Sequence, residues 1–350
     1  MNKDMTAELT ADEVTAEQAG KLKGNVTGTT TTLDVTEGLV NPGFGIDETG
    51  KTTTAPVNTL MQSTLELAAG APLAINRILM NDVRKRMGDV RSSEGVYGAW
   101  ARYDGGRLSG DNGIETKFST IQVGGDAYLE PVGARVGAAF SYTDGNEDYA
   151  RGEGDMKAYS LALYGTWTAE NGMFADVIGR VAKVDTDLTV DGDKKGSMDN
   201  MAYGLSGEVG WRLGFLDGFY VEPQAELTYT RVSSDDIGIS TASYSIDAVD
   251  SLLGRVGFAV GMNYPEKAGS FYLRASAVHE FLGDAKITGS NAGVTQAYEI
   301  DGKDTWLEFG LGMNVNVTPN TYFWADLERT TGGILEEDWR ATVGVRHAWN

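Results

Sequence analysis

From residue 95 to its end, the chain alternates apolar and polar residues with a period of two, and this pattern constrains the fold more than any other feature. The segment YGLSGEVGWRL is a clear example, with apolar side chains at Tyr203, Leu205, Val209, Trp211 and Leu213. Glycine, serine, glutamate and arginine stand between them. Successive side chains of a strand point to opposite faces of its sheet, so the pattern predicts strands with one apolar and one polar face.

The same pattern predicts about twelve strands, joined by connections of alternating length. The strands fall near residues 95–104, 114–129, 132–143, 156–169, 172–188, 201–214, 219–232, 252–264, 271–282, 304–317, 320–330 and 338–349. Short turns alternate with long polar loops such as 144–155 and 233–250. An even strand number with short turns at one end and long loops at the other is typical of an outer-membrane barrel, whereas a soluble β-sandwich does not sort its loops in this way.

We therefore predict an all-β fold, a 12-stranded antiparallel transmembrane β-barrel with an N-terminal α-helix inside the pore. The barrel must close because lipid offers no partner to a strand edge. Such a lumen is too wide for side chains alone to fill and admits one helix. The helix is predicted from Pro72 to Arg91, which is about 30 Å long at roughly 1.5 Å per residue. The predicted domains are a low-complexity segment at 1–58, a helical linker at 59–93 and the barrel at 94–350.

The predicted helix is basic, whereas the predicted lumen is acidic. The basic residues are Arg84, Lys85, Arg86 and Arg91, and the acids that strand parity turns inward are Asp176, Glu208, Glu222, Glu226 and Glu280. Charged groups cannot face lipid, so we expect the helix to plug the pore through these opposite charges.

Composition narrows the classes of function. The net charge of −21 argues against nucleic acid and anionic lipid headgroups as partners. With no cysteine and two histidines, thiol catalysis is excluded and a zinc enzyme is disfavoured, and we predict no metal and no cofactor. The first residues lack an apolar signal-peptide core, so we expect either a cytoplasmic protein or a piece of a longer precursor.

Several short segments resemble the translocator domains of type V autotransporters. KRMGDVR followed by GAWARYDGG is similar to the junction between helix and first strand in that family. ADVIGR, GEVGWRL, EPQAELTY, VHEFLGDAKI and DLERTTGG with WRATVGVRHAW resemble the segments that follow, in the same order. The resemblance covers residues from about 58 to 350.

This resemblance implies a Gram-negative outer-membrane protein that exports an N-terminal passenger to the cell surface and anchors it there. Residues 1–58 are then a passenger remnant. The implied partners are outer-membrane lipid, the barrel-assembly machinery, periplasmic chaperones and the protein's own passenger, and we expect a monomer. In the family the last strand carries the assembly signal, which falls here on Val343, Val345, His347 and Trp349, with Trp349 in place of the usual phenylalanine.

Some members of the family cut their own linker inside the barrel, where an asparagine cyclises with help from lumen carboxylates. The resemblance places that bond at Asn81–Asp82 and the carboxylates at Asp176 and Glu208. A departure is Asp82, which stands where the family has a second asparagine and adds a negative charge. Two readings stay open, either single-turnover cleavage or a purely electrostatic role in which the acids pair with the basic linker.

An outer-membrane porin or a surface-facing barrel enzyme is the alternative to a translocator. A porin needs an open lumen, and an enzyme needs a polar cluster at the outer rim. The two histidines, His279 and His347, fall on outward faces by strand parity, so neither is placed for such a cluster.

Overall fold

The computed structural model of the chain describes residues 22–27, 30–35, 71–79, 95–110, 114–149, 152–190, 193–215, 218–240, 242–291 and 294–350. Twelve long strands form its main sheet: β1 Tyr97–Gly110, β2 Glu115–Leu129, β3 Ala134–Tyr149, β4 Gly152–Thr168, β5 Met173–Val190, β6 Lys194–Trp211, β7 Phe219–Val232, β8 Val249–Asn263, β9 Gly269–Glu280, β10 Asp304–Thr318, β11 Thr321–Thr331 and β12 Leu335–Trp349. The short strand Leu213–Gly214 continues β6 along β7. Residues 71–79 are helical, and Leu22–Thr27 pairs with Thr30–Val35 in a separate hairpin.

The twelve strands close into an antiparallel barrel. Each strand pairs with the next along the chain, and the ring is completed where β12 pairs with β1, from Leu335 opposite Gly110 to Trp349 opposite Tyr97. A closed ring leaves no strand edge to lipid, which is the condition for a sheet that crosses a bilayer. The predicted fold class is confirmed.

Side-chain burial follows the predicted alternation but is inverted relative to a water-soluble protein. On β6, Leu205 and Val209 are 59% and 57% exposed, whereas Ser206 and Glu208 are 8% and 5% exposed. Apolar side chains therefore face outward over most of the barrel and polar ones face the lumen. This arrangement is stable only where lipid replaces water around the barrel.

Inward-facing aromatic rings pack on glycines of the neighbouring strand near the end of the barrel that carries the short turns. The ring of Trp100 covers Gly124, and the ring of Trp324 covers Gly344; a Cβ atom at either glycine would overlap with the ring. Trp100 also donates from Nε1 to the hydroxyl of Tyr164 at 2.8 Å. These contacts between a ring and a glycine hold neighbouring strands in register at this end of the barrel.

Strands β3 and β4 are longer than predicted, and the expected polar loop at 144–155 is wrong. The hairpin continues through paired residues such as Asn146 and Asp155 to Tyr149 and Gly152. Its outward side chains there are polar or charged, so this part of the barrel projects beyond the lipid. Water surrounds this part of the strand, so it needs no apolar face. The alternating pattern therefore ends there and did not predict a strand.

The second predicted loop, at 233–250, also contains strands. Asp235–Ile239, Ala242–Ile246, Ala285–Asn291 and Val294–Ile300 form a four-stranded sheet in that order. Its inner face buries Ile237, Ile239, Tyr244, Ile246 and Ile287. The sheet packs against the ends of β5 and β6 through Leu188, Val190 and Met198, so it lies over the mouth of the lumen at the loop end.

The helix at 71–79 lies inside the barrel. Asn76 Nδ2 donates to Ser251 Oγ of β8 at 2.7 Å. Arg180 of β5 donates to the carbonyl oxygen of Leu79, and Arg340 of β12 donates to that of Ile78. These three strands stand at separate positions around the ring, so only the lumen can contain the helix. Among the described residues, no helix is both long enough and apolar enough to span a bilayer.

Candidate functional site

The linker helix presents an apolar face to an apolar part of the lumen. Ala74, Ile75, Ile78 and Leu79 are each at most 3% exposed. They form one cluster with inward side chains of six strands: Leu108, Phe118, Met156, Ala158, Ala182, Val184, Ala202 and Val232. Burying one isoleucine contributes about 1.5–3 kcal/mol, so this face alone fixes the helix firmly.

The predicted uniformly polar lumen is therefore wrong at the loop end, and the sequence does carry a signal for the difference. On β5, the outward odd positions are apolar through Val177 and Val181 and polar from Lys183 onward, while the inward even positions remain apolar at Val184 and Leu188. This loss of apolar residues from the outward face, with the lumen face still apolar, is the signal. It marks where the barrel leaves the lipid and begins to hold the helix.

Two polar side chains fix the rotation of the helix. Asn76 donates to Ser251 Oγ, which in turn donates to Glu280 at 2.6 Å. The guanidinium of Arg77 lies 3.4 Å from the centre of the Trp306 ring, close enough for a cation–π contact.

All five acids predicted to face the lumen do so, and the barrel's own arginines contact Glu208, Glu222 and Glu226. Arg255 Nη2 lies 2.5 Å from Glu226 and 3.2 Å from Glu208, and Arg212 Nε lies 2.5 Å from Glu222. The sequence did not predict these contacts, because the acids were expected to pair with the basic residues of the helix. Charged lumen side chains that pair across strands stabilise the barrel wall itself.

Asp176 and Glu208 are direct cross-strand neighbours in the β5–β6 register, and both are 5% exposed. Glu280 accepts hydrogen bonds from Ser251 Oγ and from the backbone nitrogen of Leu252 at 2.8 Å. The structure thus brings together the two acids that the resemblance assigns to linker cleavage and places Glu280 elsewhere, beside the helix at Asn76.

The predicted site residues of the linker fall outside the described part of the chain. These are Asn81, Asp82, Arg84, Lys85, Arg86 and Arg91. Their contacts with the lumen acids and the cleavage of the Asn81–Asp82 bond stay predictions.

Comparison with known proteins decides the family. The family model of the autotransporter β-domain matches residues 99–328, which is about two thirds of the chain. This chain belongs to the autotransporter β-domain family. It is 28% identical over 280 residues to the serine protease EspC of Escherichia coli O127:H6. That alignment covers 77% of this chain and 21% of EspC. It is 29% identical to the pertactin autotransporter of Bordetella parapertussis, over 77% of this chain and 30% of that protein.

The chain spans only about a fifth to a third of the length of these relatives. Solved translocator domains have the same fold. The domain of NalP from Neisseria meningitidis gives a TM-score of 0.66 at 14% identity, covering 82% of this chain and 99% of that one. The β domain of the Bordetella autotransporter BrkA gives 0.58 at 20% identity, covering 73% and 100%. The autotransporter β-domain described here is thus a Gram-negative outer-membrane barrel, with its loop end outside the cell.

The seam between β12 and β1 of the β-domain is held by buried arginines that sequence reasoning missed. Asp126 accepts from Arg135 at 2.8 Å and from Arg346 Nη2 at 2.6 Å, with Tyr164 donating at 3.1 Å. Arg346 reaches Asp126 on β2 across Gly98 of β1, where a Cβ atom would overlap with its guanidinium. The period of two in WRATVGVRHAW turns this arginine inward and was the available signal.

The four residues predicted to carry the assembly signal lie on the outward face of β12. Val343 is 54% and Trp349 is 42% exposed. His347 Nδ1 lies 2.8 Å from Thr321 Oγ1, and its ring stacks on Trp349 with centroids 6.1 Å apart. Trp349 also stacks on Tyr97 across the seam at 6.4 Å. The tryptophan thus occupies an aromatic position at the periplasmic boundary of the membrane.

Above the membrane, the inward-facing Glu147 is 2% exposed at the outer end of β3. Outward residues at this level, such as Asp144 and Asp148, are charged, which places it beyond the lipid. Burial raises the pKa of Glu147 to about 7. Among the described residues, no three histidine, aspartate or glutamate side chains converge on a metal-sized site.

Proposed function

We propose that this β-domain anchors an N-terminal passenger in the outer membrane, exports it to the cell surface and keeps its own pore closed with the linker helix. The observation that supports this best is the helix itself. Its first described residue, Ala71, packs under the extracellular sheet, and Leu79 lies deeper in the barrel beside Arg180. The direction of the chain from Ala71 to Leu79 supports export of the segment that precedes the helix.

The domain boundaries of the proposal are those of the sequence reasoning. Residues 1–58 are the passenger remnant, 59–93 the pore-spanning linker and 94–350 the barrel. Export requires the barrel-assembly machinery and periplasmic chaperones as further partners, and the outward Val343, Val345, His347 and Trp349 are the surface that they read. The ring closes within one chain, which supports a monomer.

A diffusion porin fits the lumen less well, because the helix and its apolar cluster occupy the pore at the loop end. A surface-facing enzyme is disfavoured by the histidines. His279 and His347 both hydrogen-bond to threonines, Thr305 and Thr321, on exposed parts of the barrel wall.

The neighbouring acids Asp176 and Glu208 support an alternative to permanent anchoring, a single-turnover cleavage of the linker at Asn81–Asp82, which would release the passenger together with the helix at 71–79. A buried acid of this pair would polarise the backbone carbonyl of Asn81 while the side-chain nitrogen of Asn81 attacks its carbon. A cyclic imide then forms as the Asn81–Asp82 peptide bond breaks, and the proton lost by the attacking nitrogen goes to the new amino group of Asp82. Arg255 Nη2 lies 3.2 Å from Glu208, so a positive charge lies beside this pair of acids.

The experiment expresses the chain behind a leader and an epitope, digests half of the intact cells with protease, and measures the mass of the barrel from the undigested half. We expect the epitope to be removed from the cell surface. The cleavage proposal adds that the recovered barrel begins at Asp82, and that Asp176→Asn, with Asp187→Asn as the exposed control, restores the joined chain. An epitope inside the cell would contradict export, whereas a surface epitope on an uncut chain would contradict cleavage alone.

A further inference from the structure

Two lumen arginines donate hydrogen bonds to the backbone of the linker. Arg340 Nη2 lies 3.1 Å from the carbonyl oxygen of Ile78, and its Nη1 lies 3.3 Å from that of Arg77. Arg180 Nη1 donates to the carbonyl oxygen of Leu79. Cationic donors are favoured at successive helix carbonyls because these carry partial negative charge.

Arg180 is a costly residue for a barrel wall. It is 8% exposed, and its Nε and Nη2 atoms are buried without a hydrogen-bond partner among the described residues. The guanidinium groups of Arg102 and Arg340 act on it as neighbouring like charges, and the attraction of the Asp104 carboxylate is smaller than either repulsion. A buried charge that is poorly paired destabilises the fold that contains it. In the described structure, the hydrogen bond that Arg180 does make is to the linker.

Arg340 connects the linker to the seam of the barrel. Its Nη2 lies 2.6 Å and its Nε 3.0 Å from the carboxylate of Asp104 on β1, and Thr342 of β12 donates to the same carboxylate at 2.9 Å. Arg340 is 2% exposed. One side chain thus joins the first strand, the last strand and the helix, and its position depends on β12 having paired with β1.

We propose that Arg180 and Arg340 form a clamp on the backbone carbonyls of the linker, and that the Arg340–Asp104 ion pair sets the clamp only when the barrel has closed. This rests on the proposed role of the linker as anchor and plug. Carbonyl groups belong to every residue, so the clamp recognises the helical backbone and not the side chains. It locks the linker after export and leaves an unclosed barrel free to pass it.

The test uses the absence of cysteine from the chain. Ala74→Cys places one thiol on the buried face of the helix, where Ala74 is 2% exposed. A membrane-impermeant maleimide then measures how often the helix leaves the lumen of the full chain in vesicles. We expect Arg180→Met and Arg340→Lys to speed labelling about tenfold or more, because each removes charged hydrogen bonds to the linker.

Asp338→Asn is the matched control, since Asp338 pairs with Arg107 Nε across the same seam at 2.6 Å and has no described contact with the helix. It should leave labelling slow. Arg180→Met should also leave the thermal midpoint of the barrel unchanged or raised, which a structural arginine would not do. Slow labelling in both clamp variants, or a lowered midpoint with slow labelling in Arg180→Met, would overturn the clamp. Fast labelling of Ala74→Cys alone would overturn the plug as well.

Discussion

Replacing Ile75 with aspartate is expected to turn a quiet barrel into a conducting pore. Ile75 is 0% exposed and packs inside the lumen cluster with Ile78 and Phe118. An unpaired carboxylate in that cluster would cost about 3 kcal/mol or more, which lowers the docked fraction of the helix by roughly a hundredfold. Planar-bilayer recording of the intact chain measures the opening directly.

Ile75→Leu is the control, because a swap of equal volume keeps the apolar contact and should keep the channel quiet. Heat-modifiable migration on gels confirms that both variants have a folded barrel. Ile78→Asp repeats the test at a second position. A folded barrel with Ile75→Asp that stays quiet would contradict a plug made by the apolar face of the helix.

The second large effect is expected at Asp126. Asp126→Ala leaves Arg135 and Arg346 buried without their carboxylate, and removing one partner of a buried ion pair costs about 3–5 kcal/mol. Because Arg346 lies on β12 and Asp126 on β2, the loss falls on the seam of the barrel. Urea titration in lipid vesicles should show the decrease in the free energy of unfolding.

Asp185→Asn serves as the control for this prediction. Asp185 pairs with Lys183 at 2.5 Å on the exposed outer part of β5, and such exposed pairs contribute about 0–1 kcal/mol. Equal effects of Asp126→Ala and Asp185→Asn would mean that the Asp126 network does not hold the seam.

The barrel could be predicted from the sequence because alternation is local. Each strand shows its two faces in its own residues, as β6 does at Leu205 and Glu208, and lipid makes one face apolar wherever the strand crosses the membrane. The strand ends could not be predicted as well. Past Tyr142, the outward residues of β3 face water and become polar, so the strand resembles a loop although its pairing with β4 continues.

The site was only partly predictable because it depends on contacts between distant parts of the chain. Parity correctly turned Asp176 and Glu208 into the lumen. It could not show that Arg255 would reach Glu208, since that contact depends on which strands are neighbours in space. The apolar docking of the helix was missed because the basic residues that follow Leu79 drew attention to charge. Ile75 and Ile78, one helical turn apart, were the evidence for it.

We expect export to place residue 31, which precedes the linker helix in the sequence, outside the cell. Single cysteines at Thr31, at Thr295 on the extracellular sheet and at Asn320 in a periplasmic turn test it in cells that export the chain behind a leader. With an impermeant maleimide, we predict labelling of Thr31→Cys and Thr295→Cys in intact cells and of Asn320→Cys only after the outer membrane is permeabilised. Labelling of Thr31→Cys only after permeabilisation, with Thr295→Cys labelled in intact cells, would contradict the account.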